Sequence, residues 1–427
     1  MKQFFRENYK VIICVCILLG LLAISLAVSP KSPQGRPSQN NPNCLEAGTG
    51  QENRAVFDTI SYIYTYAGDT KEQFDANCKE VWSILAEYHQ LFDIYHEYSG
   101  INNLCTLNKN AGGEALEVSP KLIDFLLYAK ELYDLTNGEM NIMMGAVLVP
   151  WHDARENNSF KGYYCEYCHK FSSTRIVTDG KCPKPDPDYP NDDKKKCGRP
   201  VFPFEDVLAE KSQHISFDAL EIDTVNNTVR IADKDARIDV GALGKGYATE
   251  LAAKHLENKG VNSYVLNIGG NIRIIGTKPD GSGWPTGIKN PKYYDSPNQQ
   301  CADFGHYDAN KDSKCDACDE TQFVEKIIIS NVSCVTSGDY ERKFIQDNKK
   351  YHHIIDKDTL MPAEYFSSIT ILTKDSGLAD CLSTALFCMS YEEGLALVEK
   401  IGNVEVLWVY SDGRTEMTQG FEALLMD

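Results

Sequence analysis

Positive charge is scarce in this sequence. Its 427 residues include 43 lysines and arginines but 61 aspartates and glutamates, so the formal net charge is −18. Proteins that bind nucleic acids carry a basic footprint, and this balance therefore argues against a nucleic-acid partner. It does not exclude a small anionic ligand, because charges farther apart than about 8 Å are screened and only cations close to the ligand matter.

Internal repeats are also missing, since no segment recurs with the period that marks solenoids and propellers. The sequence is 42% hydrophobic and 24% charged, which is typical of a folded globular protein. This composition excludes a wholly disordered, collagenous or coiled-coil chain. Length alone allows two or three domains of roughly 100–200 residues each, or one large domain with insertions.

A long apolar run lies near the N-terminus. Residues 11–28 carry no charge and follow Lys2, Arg6 and Lys10. A bilayer-spanning helix needs about 20 apolar residues, so we predict a signal peptide or a membrane anchor over residues 1–28, with a buried core helix as the alternative. Residues 29–54 hold four prolines among small polar residues, and we predict a flexible linker there. We therefore expect the globular domain, residues 55–427, to lie outside the cytoplasm at the cell membrane.

Helical and strand patterns alternate along the globular part. Apolar residues at three- and four-residue steps predict helices over residues 71–93, 120–135, 245–258 and 377–389. Short β-branched runs predict strands over residues 228–231, 264–268, 272–275, 325–330 and 404–410. This interleaving predicts an α/β or α+β fold.

Two polar, cysteine-rich stretches, residues 153–200 and 279–324, interrupt this alternation and are predicted to be insertions. The ligand types and spacing of the second predict a zinc site with three thiolates and one imidazole, and the first could hold zinc through four thiolates. Outside the cytoplasm, disulfides are the competing use of these cysteines. The residues concerned are Cys165, Cys168, Cys182 and Cys197 in the first insertion, and Cys301, His306, Cys315 and Cys318 in the second.

A glycine-rich segment at 239–247 (DVGALGKGY) follows an apolar strand and opens a predicted helix. Amides at a helix N-terminus favour an anion, and Lys245 adds a positive charge. The segment has neither the Walker A spacing nor G-x-G-x-x-G, so a plain strand-to-helix turn is an equal alternative. Gly269 and Gly270 lie between two predicted strands and indicate either a close backbone approach or an ordinary hairpin turn.

Three later segments carry further candidate chemistry. Residues 335–342 (VTSGDYER) offer hydroxyls and Arg342 just after a strand, although a turn with a solvated arginine is the preferred interpretation of this segment taken alone. Residues 351–362 contain adjacent histidines, of which one could face a site. In an apolar helix, Asp380 and Thr384 lie four residues apart, so their oxygens share one face and could hold Mg²⁺.

These segments, in this order, resemble the ApbE family, the FAD:protein FMN transferases. The family reads roughly D-x-G-x-x-A-K-G-Y-A, N-x-G-G-[DN], T-S-G-x-Y-E-R, H-H-I-[IL]-D-x-x-T-G-x-P and A-D-A-[LW]-[SA]-T-A. The chain has IDVGALGKGYA, LNIGGNI, VTSGDYERKF, YHHIIDKDTLMP and LADCLSTALF. It departs from the family at Gly244, where alanine is usual, and at Leu360, which replaces a turn glycine. Residues 55–59 read AVFDT where A-M-G-T is usual, and residues 138–141 read GEMN in place of G-x-F-D.

The resemblance implies a T-fold-like core of sheets and helices that cleaves the pyrophosphate of FAD. The FMN phosphate would be attached to a threonine or serine hydroxyl of an acceptor protein, and AMP would be released. It also implies a metal site, a base and a flavin-binding groove. Mg²⁺ would be held by Asp380, Thr384 and the main-chain carbonyl of Ala242, with Lys245 over the phosphates. His353 is the predicted base, with Asp380 as the second candidate. The cofactor contacts would include Thr59, Met140, Asn141, Gly269, Gly270, His353 and Asp356.

The resemblance further implies an extracytoplasmic acceptor, such as a flavoprotein subunit of an Rnf-type or sodium-pumping reductase. Acceptors carry a motif like S/T-G-A-T, which this sequence lacks. An FAD pyrophosphatase, which uses water in place of the acceptor hydroxyl, and an FAD-binding or storage protein are the alternatives.

Overall fold

The structure, a computed structural model, describes residues 44–159, 205–296, 314–346 and 349–426, with Cys301, His306 and three short strands between residues 163 and 199. Its strands are β1 Thr49–Asn53, β2 Ser61–Thr65, β3 Leu116–Glu117, β4 Tyr163–Cys165, β5 Lys170–Ser172, β6 Cys197–Arg199, β7 Leu220–Asp223, β8 Thr228–Ile231, β9 Tyr264–Ile268, β10 Asn271–Ile275, β11 Trp284–Lys289, β12 Phe323–Ile329, β13 Ser333–Gly338, β14 Phe344–Gln346, β15 Lys349–Tyr351, β16 Ser368–Thr373, β17 Glu405–Val409 and β18 Thr415–Met417.

The α-helices described are α1 Lys71–Phe92, α2 Leu104–Lys109, α3 Pro120–Leu135, α4 Gly145–Ser159, α5 Glu205–Lys211, α6 Gly244–Asn258, α7 Pro291–Tyr294, α8 Ser376–Ala385, α9 Tyr391–Ile401 and α10 Gln419–Glu422. Local capping sets several helix starts. Thr70 forms a capping box with Gln73 before α1, and Ser119 caps α3, whose first residue is Pro120. The helix predicted over residues 120–135 is thus confirmed to the residue.

An eight-stranded sheet runs in the order β1-β2-β9-β10-β13-β16-β17-β18. Every neighbouring pair in it is antiparallel. The expected combination of helices and sheets is confirmed. An antiparallel sheet combined with helices corresponds to the α+β class.

The middle of this sheet is buried on both faces. All six residues of β16 are buried. Ile369 and Ile371 pack in a core with helices α8 and α9, while Leu372 belongs to a second core that contains Trp284 of β11 and Phe421 of α10. Burying an aliphatic side chain of this kind stabilises the folded state by about 1.5–3 kcal/mol, so these residues hold the middle strands of the sheet in place.

No helix in the described part of the chain is long and apolar enough to cross a membrane. The apolar run at 11–28 and most of the predicted linker lie outside the described residues. The predicted anchor or signal therefore stays a prediction.

Candidate functional site

Helices α6 and α8 cross at the predicted metal site, and the crossing depends on Gly246. A Cβ atom on Gly246 would lie 2.3 Å from the carbonyl oxygen of Ser376 and 2.5 Å from Cβ of Asp380. Both distances are too short for a side chain, so only glycine allows the two helices to approach this closely. The approach brings the start of α6 against the carboxylate on α8.

The Asp380 carboxylate is the centre of this arrangement. Its side chain is only 8% exposed, and its Oδ2 accepts a hydrogen bond of 2.8 Å from the backbone N–H of Gly246. The Nζ atom of Lys245 lies 3.9 Å from the same oxygen and donates a 3.0 Å hydrogen bond to the carbonyl of Gly241. A buried carboxylate needs such compensation, and the amide and the ammonium provide it.

The other predicted metal ligands lie on α8 and in the loop that precedes α6. Thr384 is partly exposed and follows Asp380 by one turn of α8, so its hydroxyl is on the same face. Ala242 is partly exposed in the loop that precedes α6. The structure thus places the carboxylate and the glycine-rich loop side by side, as the sequence predicted.

The two adjacent histidines have different surroundings. His352 is buried, its Nδ1 accepts a 3.3 Å hydrogen bond from the N–H of Ile354, and its Nε2 lies 3.0 Å from the carbonyl of Ala363. Burial lowers the pKa of His352 to about 4. A neutral ring can accept at one nitrogen and donate at the other, so His352 links the backbone at Ile354 to the backbone at Ala363.

His353 faces positive charge. Its Nδ1 is buried without a hydrogen-bond partner in the part of the chain that the structure describes. Burial lowers the pKa of His353 to about 3, helped by the positive charges of Arg342, Lys245 and Arg155 nearby. These three cations lie within electrostatic range of one ring, and Arg155 also forms an ion pair with Glu156 at 3.1 Å.

Asp356 closes a turn. Its Oδ1 accepts hydrogen bonds from the N–H groups of Asp358 and Thr359, at 2.9 and 2.7 Å. Leu360, which replaces the usual glycine of this turn, has a φ of +60°. That left-handed conformation is strained for leucine, and Trp151 helps hold it by donating a 2.9 Å hydrogen bond to its carbonyl. The predicted contact of Asp356 with a cofactor stays a prediction.

Gly269 and Gly270 form the two-residue turn of the hairpin between β9 and β10. Their φ values are +60° and +91°, which suits a hairpin whose two central residues are left-handed. The hairpin reading is therefore confirmed. The turn also packs closely on Thr59, because a Cβ on Gly269 would lie 2.5 Å from Cγ2 of Thr59. Two of the predicted cofactor contacts are thus neighbours in space.

Met140 and Asn141 lie beside the glycine-rich loop, since the N–H of Asp239 donates a 2.8 Å hydrogen bond to the carbonyl of Ile142. Met140 is buried, and the amide of Asn141 donates to the carbonyl of Ile215 at 2.9 Å. Both side chains are therefore held by the protein itself next to the glycine-rich loop. Their predicted contact with flavin or adenine stays a prediction.

Comparison with known proteins identifies the family. The sequence model of the ApbE family matches residues 57–408. The chain belongs to the ApbE family. The resemblance inferred from the motifs is thereby confirmed.

Individual relatives are similar over most of their length. An FAD:protein FMN transferase of Treponema pallidum is 24% identical over 374 residues, which are 86% of this chain and 85% of that protein. The FAD:protein FMN transferase of Vibrio cholerae is 24% identical over 322 residues, or 75% of each chain. The crystal structure of the ApbE protein of Thermotoga maritima shares the fold, with a TM-score of 0.64 and 21% identity over 89% of this chain and 99% of that one. The flavin transferase ApbE of Vibrio cholerae has a TM-score of 0.60 at 21% identity, over 88% of this chain and 99% of that one.

A buried polar network that the sequence analysis missed joins α6, α8 and β10 of this ApbE protein. Oε2 of Glu250 accepts hydrogen bonds from the N–H of Ser376 at 3.0 Å and from Nε of Arg273 at 3.1 Å. The Ser376 hydroxyl in turn donates to Oδ1 of Asn271 at 2.5 Å. A glutamate inside an otherwise apolar stretch of helix signals a buried partner, and this signal could have revealed Glu250. Arg155 was also missed, and its position at the edge of an insertion gave no signal.

The second insertion brings its four predicted zinc ligands together, with their ligand atoms all within 4.8 Å of one another. In the first insertion, the backbones of Cys165 and Cys197 pair in adjacent strands β4 and β6. Cys168 and Cys182, and the side chains of Cys165 and Cys197, lie outside the described residues. The zinc or disulfide prediction for that group stays open.

Proposed function

We propose that this protein transfers FMN from FAD to a threonine or serine hydroxyl of an acceptor protein and releases AMP. The curated relatives in Treponema pallidum and Vibrio cholerae carry the name of this activity. The observation that carries the proposal is the contact of the buried Asp380 carboxylate with the Gly246 amide and Lys245 at the start of α6. The family's reaction needs an anchored carboxylate and a cation at one anion-binding loop, and both are here.

The local charge suits a pyrophosphate despite the net charge of −18. Lys245 and Arg342 lie within electrostatic range of His353, as does Arg155, which also pairs with Glu156. Charges on the far surface are screened over about 8 Å, whereas these cations would act directly on the phosphates. The diphosphate bridge of FAD would therefore lie between Lys245 and the loop that precedes α6.

The donor set fits Mg²⁺. Oδ2 of Asp380 is occupied by the Gly246 amide, whereas no hydrogen bond from the described residues reaches Oδ1. Hard oxygens of this kind suit Mg²⁺, which would be held by Asp380, Thr384 and the carbonyl of Ala242. Bound there, Mg²⁺ would neutralise charge on the diphosphate bridge and make its phosphorus more open to attack.

The transfer step exchanges one phosphorus–oxygen bond for another. The acceptor hydroxyl oxygen bonds to the phosphorus on the FMN side, the bond from that phosphorus to AMP breaks, and AMP leaves with the bridging oxygen. The hydroxyl proton needs an acceptor within hydrogen-bond reach, and His353 is our candidate. A pKa of about 3 makes its ring neutral but weakly basic in the free protein. An anionic substrate beside Lys245 and Arg342 would offset their charge and raise that pKa towards the working range.

The cellular setting of the proposal follows from the N-terminal segment and from the family. Residues 1–28 would target the chain to the membrane or hold it there, with the enzyme domain on the extracytoplasmic side. The acceptor would be a flavoprotein of an Rnf-type or sodium-pumping reductase, or of a similar electron-transfer system.

The proposal is tested by mixing the purified protein with FAD, Mg²⁺ and an acceptor domain that carries an S/T-G-A-T motif. We expect the acceptor to gain the mass of one FMN less one water on the threonine or serine, with one AMP released per modified acceptor. Release of free FMN and AMP with no change in the acceptor's mass would indicate an FAD pyrophosphatase. FAD bound without any cleavage would indicate a storage protein, and either result would refute the proposal.

A further inference from the structure

The second cysteine-rich insertion contains a cluster that the flavin chemistry does not use. It consists of Cys301, His306, Cys315 and Cys318, and it is called the Cys-His cluster below. The Sγ atoms of Cys301 and Cys315 lie 3.6 Å apart, and Sγ of Cys318 lies 3.5 Å from Nδ1 of His306. Cys301 and Cys315 are buried.

These distances match the edges of a tetrahedron around zinc. Zn–S bonds of about 2.3 Å and Zn–N bonds of about 2.0–2.1 Å place two sulfur ligands about 3.8 Å apart and a sulfur and a nitrogen about 3.6 Å apart. Hence the two observed pairs are already near the spacing of a four-coordinate site with three thiolates and one imidazole.

The backbone around two of the ligands forms a compact turn. The N–H of Asp319 donates a 2.8 Å hydrogen bond to the carbonyl of Cys315, and the N–H of Cys315 donates a 2.9 Å bond to the carbonyl of Glu320. Asp319 has a φ of +57°, so the chain reverses immediately after Cys318. This reversal directs both thiols of the Cys-x-x-Cys pair to the same side, where the other two ligands lie.

We propose that the Cys-His cluster is a structural zinc site. A disulfide between Cys301 and Cys315 would use two of the four groups and leave the thiol of Cys318 beside the imidazole of His306 with no shared function. A single zinc ion uses all four, and a closed set of four protein ligands is typical of a structural site.

The zinc site fastens the insertion to the segment that carries Arg342. The His306 ring stacks on Tyr293, with ring centroids 3.8 Å apart and an angle of 21° between the rings. The next residue of α7, Tyr294, stacks on Tyr340, with centroids 6.1 Å apart. Asp295 then forms ion pairs with Lys343 and Lys350. A continuous series of contacts therefore runs from the zinc ligands to both sides of Arg342.

The zinc assignment is tested by measuring metal bound to the full-length protein, purified without chelators, and to its variants. We expect Cys315→Ser to contain one zinc fewer per chain than the wild type. Cys78→Ala, which removes a buried cysteine of α1, should leave the zinc content unchanged. Cobalt-exchanged wild type should show the visible absorption of tetrahedral thiolate-bound cobalt, and Cys315→Ser should lose part of it.

An equal zinc content in wild type and Cys315→Ser would overturn the assignment, as would a Cys301–Cys315 disulfide found by peptide mapping of the wild type. If Cys315→Ser fails to fold, His306→Cys and His306→Ala replace it. His306→Cys keeps four ligands and should retain zinc, whereas His306→Ala should bind it at least about tenfold more weakly. Equal zinc affinity of these two variants would also overturn the assignment.

The fastening role is tested by hydrogen exchange on the full-length protein before and after removal of zinc by a chelator. We expect faster exchange in the peptides that cover residues 291–296 and 338–343, and unchanged exchange in helix α1. Equal exchange at 338–343 with and without zinc would show that the metal does not support the Arg342 segment. This readout does not depend on flavin transfer, so it stands whether or not the proposed activity is found.

Discussion

At the scale of single residues, the site consists of one buried carboxylate and the groups that compensate it. Asp380 is buried in an apolar helix, and the Gly246 amide and the Lys245 ammonium are the polar partners of its carboxylate. The four-residue step from Asp380 to Thr384 and the family motifs led us to expect Asp380 and Lys245 at one site, but they did not predict the hydrogen bond from the Gly246 amide. They could not predict Arg155, because its approach to His353 depends on how the chain folds across a long insertion.

Replacing Lys245 by alanine should weaken FAD binding. Charge-assisted hydrogen bonds contribute about 1.5–3 kcal/mol, so the dissociation constant for FAD should rise about tenfold or more. Lys254→Ala is the matched control, because it removes the same charge from an exposed position of the same helix, where Lys254 pairs with Glu250 and Asp375. Titration of FAD fluorescence checks both variants, and equal affinities for Lys245→Ala and wild type would contradict this role.

The buried histidine His352 should make the protein sensitive to acid. Its pKa is about 4 in the folded state against an unfolded value near 6.5, so between these values the unfolded chain binds more protons. The free energy of unfolding should therefore fall as the pH drops from about 6.5 towards 4, with one such histidine contributing up to about 1.4 kcal/mol per pH unit.

His352→Gln should reduce that slope, because glutamine cannot take up the proton. Above pH 7 the histidine is neutral in both states, and the difference in stability between the two proteins should be constant there. Denaturant unfolding at several pH values provides the measurement. An identical slope in wild type and His352→Gln would show that His352 is not the titrating group.

At the scale of elements, the site depends on the crossing of α6 and α8. The crossing is fixed by close packing at Gly246 and by the hydrogen bonds that Glu250 of α6 makes to Ser376 of α8 and Arg273 of β10. Sequence patterns predicted both helices because apolar periodicity is local, although the helix predicted over residues 377–389 ends at Ala385. Residues 335–342 were expected just after a strand, yet residues 335–338 lie within β13, since pairing with β16 extends the strand to Gly338.

Gly246→Ala should separate the two helices. The added methyl group would lie 2.3 Å from the Ser376 carbonyl, so the helices must shift, and overpacking of this kind costs about 1–3 kcal/mol. The Gly246 amide would then move away from Asp380, and flavin transfer should fall more than stability alone explains.

Gly394→Ala in α9 is the matched control for that substitution. A Cβ there meets its nearest neighbour, a carbon of Leu386, at 3.5 Å, which is ordinary contact. Helical glycine-to-alanine changes without a clash are neutral or stabilise by about 0.5–1 kcal/mol. Thermal unfolding and a transfer assay on both variants make the comparison. If the two variants behaved alike in both assays, the close helix crossing would not matter for the site.

At the scale of the whole molecule, an eight-stranded antiparallel sheet supports the site, and local patterns could not reveal its strand order. β2 lies beside β9 and β10 beside β13, so the pairs join segments far apart in sequence. The two cysteine-rich insertions stay predictions, and their bounds include ordered parts of the domain: α4 continues to Ser159 inside the range 153–200, and β11 and α7 lie inside the range 279–324. The net charge of −18 is a sum over the whole chain, so it could not show that Lys245, Arg342 and Arg155 lie within electrostatic range of His353.

The most direct measurement of the whole account is the intact mass of an acceptor domain after incubation with FAD, Mg²⁺ and either the wild type, Asp380→Ala or Asp380→Asn. Asparagine keeps the shape of the side chain and an oxygen for the Gly246 amide, so it separates the loss of a metal ligand from a loss of packing. We predict covalent FMN on the acceptor with the wild type, and a rate lower by about 100-fold or more with both variants. Transfer by Asp380→Ala at the wild-type rate, whether Mg²⁺ is present or chelated, would contradict this role for Asp380.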